Sequence, residues 1–543
     1  MPNSEPISFD YIIVGGGSAG SVLANRLSED KDVTVCLIEA GGSDYGWKEK
    51  ILTRVPAAIP FLLMNPKYNW GYRFDRDPRL GNRELMMPRG RLLGGSSAVN
   101  GMIYVRGHRQ DYDEWKALGN EGWGYDDVLP YFKKSENWHG PESPYHGQGG
   151  ELDVSLPRAP HAASLNFVAA AEAMQCSRND DVNGASQDGV GIMHMTQRKG
   201  ERVSASRAFL HRARSRPNLT IMTDTRVEKV RFSGRKAVGV TAWQGSRLQI
   251  DARREVILSA GAITSPHLLM LSGVGPSAHL QQHGVDVVHA LPGVGQSLQD
   301  HINVSTFYGS NRKDLYSMSK RFMLANALAP LKYLLFRKGP LTSNFLEAAA
   351  YVRSRPDLDR PDLQIIFGPG VFPLEGAIDD AGMLSGFTFN ITYLQPQSRG
   401  TVSLNDADPA AAPRIVGNVL SHQGEIDTLT RGIRWTRQLV SSGRLEIDDA
   451  IELPGSASRN TDAEIKDYIM NMASTCLHPT STCRMGEDEM AVVDDQLRVR
   501  GLQGIRIVDA SVMPRIPSGN TNAPTIMIGE KAADMIKAAA RGR

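Results

Sequence analysis

A short apolar run, Tyr11-Ile12-Ile13-Val14, passes without a break into Gly15-Gly16-Gly17-Ser18-Ala19-Gly20, and this junction leaves the N-terminal segment few folds to choose from. The run has strand character, the glycines satisfy G-x-G-x-x-G, and Ser21 to Ser28 reads as a helix with Val22, Leu23 and Leu27 on one face. Val33 to Ile38 reads as a second buried strand that ends at Glu39. Strand, glycine turn, helix, strand and terminal acid in this order make a dinucleotide-binding unit. Gly15 allows the tight turn, Gly17 lets a pyrophosphate reach the backbone, and Gly20 lets the helix lie close to the strand. Ser18 and Ala19, within the glycine turn, are expected cofactor contacts, and the free N–H groups and positive dipole end of the helix N-terminus face the phosphates. Glu39, followed by Ala40, sits where a carboxylate accepts both ribose hydroxyls. A glycine-rich surface turn would explain the glycines but not Glu39. The expected ligand of this unit is an ADP moiety.

A chain of 543 residues has room for two or more structural units. A net charge of +2 with no dense basic cluster points away from nucleic acid as a partner. Cys36, Cys176, Cys476 and Cys483 show no C-x-x-C spacing, so neither a disulfide framework nor a metal site is expected. Met1 to Asp10 is polar and lacks the apolar core of a secretory leader. No stretch reaches the roughly 18 apolar residues of a membrane span. A cytoplasmic location follows, at most peripheral to the inner membrane. The most apolar helical segment, Phe322 to Phe336, is closed by Arg337 and Lys338. It reads as a core or surface-lid helix, with peripheral membrane contact as the alternative.

Strands and helices alternate at the start, break up in the middle and return at the end. The predicted architecture is α/β: a Rossmann-like nucleotide domain from residues 1–155, 205–305 and 475–543, interrupted by a substrate domain from 156–204 and 306–474. Leu219 to Thr223, Val227 to Phe232, Ala237 to Trp243 and Glu255 to Ser259 read as strands of the first domain. Gln364 to Phe367, Phe387 to Leu394 and Gly400 to Leu404 read as antiparallel strands of the second, in a sheet flanked by helices.

Pro88 to Asn100 reads PRGRLLGGSSAVN, in which Gly94-Gly95-Ser96-Ser97 supplies free N–H groups and two hydroxyls in a flexible turn. Gly90 to Asn100, followed by Tyr104, Gly107 and Asp113, resembles the first signature of the glucose–methanol–choline (GMC) flavin oxidoreductases. Gly261 to Gly275 (GAITSPHLLMLSGVG) resembles the second, and LPGVGQSLQDH (Leu291–His301) and IVDASVMP (Ile507–Pro514) resemble further family blocks. The resemblance spans nearly the whole chain and is closest to choline-dehydrogenase-like and aliphatic alcohol or sorbose dehydrogenases. It implies FAD as cofactor. The first loop would hold the ADP half. The second, with Arg91, Gly94, Gly95, Ser96, Asn100, Gly101 and Met102, would lie over the isoalloxazine. Val227 would meet the adenine, and Asp509 and Ala510 the ribityl-pyrophosphate. Some relatives attach FAD through a histidine just before the asparagine of the second loop. That position is Val99 here, so non-covalent FAD is expected.

The resemblance also assigns the chemistry. TCLHPTSTCRMG (Thr475–Gly486) matches the block in which relatives keep a catalytic base, which would be His478; Pro479 restricts it to an extended backbone. Arg484 reads as a loop anchor. Ser518-Gly519-Asn520-Thr521-Asn522 is the companion block, where relatives carry histidine or asparagine at the position of Asn520. An amide can hydrogen-bond a substrate oxygen but cannot take its proton. His478 is thus the expected base, Asn520 the expected donor to the developing alkoxide, and Thr521 and Asn522 contact the flavin or cap the following helix. An imidazole near its ordinary pKa suits proton abstraction from an alcohol, whose α-hydrogen then passes as hydride to flavin N5. Glu347 is a candidate partner for a choline ammonium, against a structural ion-pair or capping role. Phe372, Tyr393 and Leu477 are candidate pocket residues, and Cys476 is placed to tune oxygen access or simply to pack. The expected reaction is oxidation of a primary alcohol to the aldehyde, with reduced FAD reoxidised by a quinone, another carrier or O2. An H2O2-producing oxidase, a non-redox lyase like the hydroxynitrile lyases, and a non-catalytic FAD-binding scaffold are the alternatives.

Overall fold

Two seven-stranded sheets organise the computed structural model, which describes residues 7–371, 385–453 and 459–542. In the first sheet the strands run in the order Leu219–Met222, Val35–Ile38, Ile7–Val14, Arg247–Leu258, Lys236–Trp243 and Arg226–Ser233, and Ile505–Ile507 also pairs with Arg247–Leu258. Ile7–Val14 is parallel to both neighbours, and its apolar end, Tyr11 to Val14, is buried on both faces. The turn at Gly15 leads into the first helix, Ser18–Leu27, which packs against the C-terminal helix Asn522–Arg541. Two features hold that pair. Gly529 brings the backbones close, since a Cβ there would lie 3.1 Å from Val22 Cβ. Arg26 grips the fully buried Glu530 with two bonds, Nε–Oε2 at 2.8 Å and Nη2–Oε1 at 2.7 Å. The chain's end is thereby laid over its beginning, and Ser18 Oγ donates to Asn522 Oδ1 at 2.7 Å.

The second sheet runs Ile451–Glu452, Ile302–Gly309, Gly386–Tyr393, Leu363–Gly368, Ala348–Val352 and Gly189–Ile192, with Ser474–Thr475 on the free part of Ile302–Gly309. Every pairing is antiparallel. One face alternates apolar and packs with helices Ala162–Glu172, Gln423–Ser441 and Asp462–Met472; Val304, Tyr308, Ile365, Phe367, Phe387 and Phe389 form its centre. Ile302–Gly309 belongs wholly to this sheet, so the crossing between sheets falls before Ile302, ahead of the residue 306 read from the sequence.

Two sequence expectations change form. Gly400 to Leu404 gives only a short strand, Thr401–Ser403, paired with Arg414–Val416 away from the main sheet. The single helix expected over Phe322 to Phe336 is two, Lys320–Ala325 and Ala329–Phe336. Pro330 has no N–H to continue a helix from Asn326, so it starts a new one. Nor is this a core segment: Met323, Leu324, Leu328, Leu331, Leu334, Leu335 and Phe336 are all exposed. No helix among the described residues is long and apolar enough to cross a membrane.

Candidate active site

Strand ends of the first sheet, with the loops that follow them, and one face of the second sheet enclose a cavity of about 660 Å³. Gly15, Gly17, Ser18, Ala19, Glu39, Ala40 and Val227 line one end, with Gly95, Ser96, Val99, Asn100, Gly101 and Met102 along one wall. Asp509, Ala510, Asn520, Thr521 and Asn522 come from the C-terminal segment, and Cys476, Leu477 and His478 from the strand-to-loop turn before it. Residues from five separated stretches of sequence thus meet in one space.

The nucleotide end has the features a dinucleotide needs. The first helix begins at Gly17 with no side-chain cap, so its leading N–H groups are open to a ligand. A Cβ on Gly17 would meet nothing nearer than Gly95 Cα at 4.0 Å, whereas a Cβ on Gly20 would lie 1.9 Å from the Gly15 carbonyl oxygen. Gly17 therefore leaves room for a ligand, and Gly20 serves helix–strand packing outside the cavity. Gly94 N donates to Gly16 O at 2.8 Å, which locks the two glycine loops together. Gly94 adopts the left-handed region (φ +90°) and does not itself line the cavity. Glu39 is oriented by Gly16 N at 2.9 Å and Gly41 N at 2.8 Å. Burial raises its pKa to about 7 against the opposing pull of those N–H groups. Asp509 accepts from Gly261 N and Ser265 Oγ on one oxygen and from Ser511 N and Oγ on the other. It ties the C-terminal segment to the helix Gly261–Leu271. Arg91, expected at the second loop, points outward and stacks its guanidinium 5.1 Å from the Trp70 ring centre.

At the other end His478 stands between two groups. Its Nδ1 lies 3.1 Å from His301 Nδ1, and its Nε2 lies 3.0 Å from Asn520 Nδ2. His301 Nε2 faces the Leu394 carbonyl at 3.1 Å. The turn that aims His478 is held at several points. Leu477 adopts φ +64°, a left-handed conformation costly for leucine. Arg89 Nη2 holds the Leu477 carbonyl at 2.7 Å, and Asp300 accepts from His478 N at 2.8 Å and from the Thr475 hydroxyl. Burial, then the neighbouring His301 and Arg89, push the His478 pKa well below its ordinary 6.5. The sequence expectation of an unperturbed imidazole is corrected accordingly: the cavity keeps it neutral.

The remaining pocket candidates divide. Leu477 lines the cavity and Phe372 lies outside the described residues. Tyr393 does not line it. It shares the strand parity of Phe387, Phe389 and Ile391, and alternation turns that set toward the helices. Glu347 is also absent from the cavity wall. Its fully buried carboxylate accepts from His161 N (2.6 Å), Ser164 Oγ (2.9 Å) and Ser343 Oγ (2.5 Å), at the start of the helix Ala162–Glu172. An anion suits a helix N-terminus, and the capping role expected as its alternative is the one its contacts fit. Arg484 forms a two-bond pair with Asp488, and Cys476 Sγ lies 3.4 Å from Thr392 Oγ1. His301, Asp300 and Arg89 were not singled out from the sequence. All three fall inside quoted blocks, but nothing in their spacing marks them.

Away from the cavity, His146, Asp181 and His194 bring three ligand-type groups within 4.8 Å of one another. Their hydrogen bonds close within the chain, His146 bridging Glu136 and Asp181 while His194 Nδ1 meets Asn183 Nδ2.

The GMC oxidoreductase N-terminal family model matches residues 9–303, and the C-terminal model matches residues 396–529. The chain belongs to the GMC oxidoreductase family. An alcohol dehydrogenase (acceptor) of Pseudomonas putida is 43% identical over 97% of this chain and 95% of that one. An oxygen-dependent choline dehydrogenase of Ectopseudomonas mendocina (strain ymp) is 42% identical over 97% and 94%. Among solved structures, pyridoxine 4-oxidase from Mesorbium loti superposes with a TM-score of 0.87 at 30% identity, covering 98% of this chain and 99% of the other. GMC oxidoreductases use FAD, and the nucleotide end described above fits it. The protein is an FAD-dependent alcohol dehydrogenase or oxidase of this family.

Proposed function

We propose that this GMC oxidoreductase oxidises a primary alcohol to the aldehyde, with His478 Nε2 taking the hydroxyl proton. The observation that carries this is the chain Leu394 carbonyl, His301, His478, Asn520. A backbone carbonyl can only accept, so His301 Nε2 carries a hydrogen. Burial lowers the His301 pKa to about 4, so the ring is neutral and its Nδ1 is bare. His478 Nδ1 must then donate to it, which leaves the His478 Nε2 lone pair as an acceptor, held by Asn520 Nδ2 at 3.0 Å until an alcohol hydroxyl takes that place. One fixed acceptor at the far end thus sets the tautomer of the base. Asn520 Nδ2 is a donor within reach of the same point, so an alcohol oxygen there gives its proton to one group and keeps a hydrogen bond from the other. Bound FAD supplies the acceptor for the α-hydrogen and its electron pair.

Reoxidation by a carrier other than oxygen is the mode proposed, after the alcohol dehydrogenase (acceptor), with O2 as the alternative after the oxygen-dependent choline dehydrogenase and pyridoxine 4-oxidase. Anaerobic mixing of the yellow protein with a panel of primary alcohols tests the reading. Bleaching of the flavin supports it, and a flavin that no alcohol bleaches refutes it and favours a lyase. An oxygen electrode then separates the modes, since steady O2 uptake with alcohol alone would mark an oxidase.

We also infer that an apolar face beside the cavity rests on an anionic phospholipid surface. Of twenty large apolar side chains exposed among the described residues, twelve lie in the stretches 47–67 and 318–338. These stretches touch, Tyr333 Oη reaching the Arg54 carbonyl, and Ile59, Pro60 and Leu63 of the first also line the cavity. Together they hold nine lysines and arginines and one acid, Glu49, in a chain whose net charge is only +2. Lys320, Arg321, Lys332 and Lys338 are exposed with no carboxylate partner among the described residues. A second copy docked on the same face would oppose these cations to one another, whereas anionic headgroups would neutralise them. Co-sedimentation with phosphatidylglycerol vesicles, lost in a Leu324→Asp/Leu328→Asp variant, is the expected result. Equal recovery with neutral vesicles, no binding, or a dimer that the variant dissociates would overturn it.

A further inference from the structure

We infer that the preferred substrate is an uncharged alcohol bearing another hydroxyl next to the reacting carbinol, such as a vicinal diol or polyol. The inference rests on the proposed alcohol oxidation and concerns what the cavity recognises beside the base. It comes from the second sheet, whose three central strands turn alternate side chains into the cavity. Their register arranges these side chains in three rows across the sheet.

The first row is Asn303, Thr392 and Gln364. It lies beside the base: Asn303 follows His301 by two residues, and Thr392 Oγ1 meets Cys476 Sγ two residues before His478. The second row is Ser305, Asn390 and Ile366, and the third is Phe307, Thr388 and Gly368. Amide and hydroxyl groups therefore fill the row at the base and thin out with distance from it. The outer polar groups already have partners. Ser305 Oγ donates to Asn390 Oδ1 at 2.7 Å, and Thr388 Oγ1 donates to the Gly370 carbonyl at 2.8 Å. Asn303 Oδ1 does not: it is buried with no partner. This oxygen is enclosed as the amide stands, but the half-buried Asn303 lines the cavity, and turning its amide would present the acceptor to a donor such as a hydroxyl one carbon from the carbinol.

Charge decides against a quaternary ammonium. None of the nine positions carries a charge. The carboxylates that line the cavity among the described residues are Glu39 and Asp509, both at the nucleotide end. Glu347 faces elsewhere. Among the described residues, a cation against these rows would meet no carboxylate on the cavity wall, while a bare alkyl chain would leave Asn303 Oδ1 unpaired.

The test compares kcat/KM for anaerobic flavin reduction by propane-1,2-diol, propan-1-ol and choline. The diol should exceed propan-1-ol by at least about tenfold, the value of one recognised hydroxyl. Asn303→Leu should shrink that ratio toward one, and Asn303→Asp should raise choline relative to the diol. Propan-1-ol or choline matching the diol in the parent enzyme would overturn the inference while leaving alcohol oxidation intact. Flavin that no alcohol reduces would remove the proposed function itself, and this inference with it.

Discussion

Replacing His301 with leucine removes the acceptor that holds the His478 Nδ1 hydrogen at 3.1 Å, while leaving every residue at the nucleotide end in place. Two consequences follow. The Nδ1–H loses its partner inside a buried site, which costs about 1–3 kcal/mol. The ring escapes that cost by moving its proton to Nε2, where it blocks the lone pair that faces the alcohol. Either way the reactive tautomer becomes the less stable one by a similar amount, equivalent to a rate loss of about 5- to 150-fold. His301→Asn keeps an oxygen near the Nδ1 position and should recover most of that loss. The assay is stopped-flow flavin reduction by a saturating alcohol without oxygen, with flavin absorbance per polypeptide as the check that the cofactor is retained. A leucine variant that holds FAD and reduces it within twofold of the parent would refute the tautomer argument.

Two further outcomes follow from the same geometry. The His478 pKa is pushed below 6.5, so the neutral base is present throughout the neutral range and is lost only as pH falls through that lowered value; the acid limb of kcat/KM should lie below pH 6.5, and a limb at or above it would contradict the burial argument. Gly17→Ala should fold yet bind little FAD, because its Cβ enters open space next to the helix N-terminus, whereas Gly20→Ala should fail to fold stably, because its Cβ collides with the Gly15 carbonyl; thermal melts of the apoproteins together with flavin content separate the two, and a yellow Gly17→Ala protein would refute the assignment of that space to the pyrophosphate.

The nucleotide unit was legible because its requirements are local. A tight turn, a close helix–strand contact and an acid at a strand end are each met within 42 residues, and the structure differs there only at the ends, the helix opening at Ser18 rather than Ser21. The antiparallel strands Leu363–Gly368 and Gly386–Tyr393 were also legible, from β-branched and aromatic content. Which of their faces lines the cavity was not, since alternation gives two faces and only the packed helices choose between them. Tyr393, a pocket candidate only through the resemblance, falls on the helix-packed face, whereas Asn303 and Gln364, which line the cavity, carry no mark in the sequence. Glu347 left two readings open because a buried acid that caps a helix and one that binds a cation look alike in sequence, and its contacts fit the capping one. Arg91 misled because its neighbours Gly90 and Gly95 do line the cavity. His301 acts through His478, 177 residues away in sequence, so no spacing could have revealed it.

Alcohol oxidation by this protein depends on the proton leaving the alcohol for His478 Nε2. The direct measurement is the rate constant for anaerobic flavin reduction in His478→Ala beside that of the parent, both loaded with FAD. A fall of at least about 100-fold, within the 10²–10⁴-fold scale of general-base catalysis, with FAD still bound, is the predicted result. Reduction within a few-fold of the parent would contradict it.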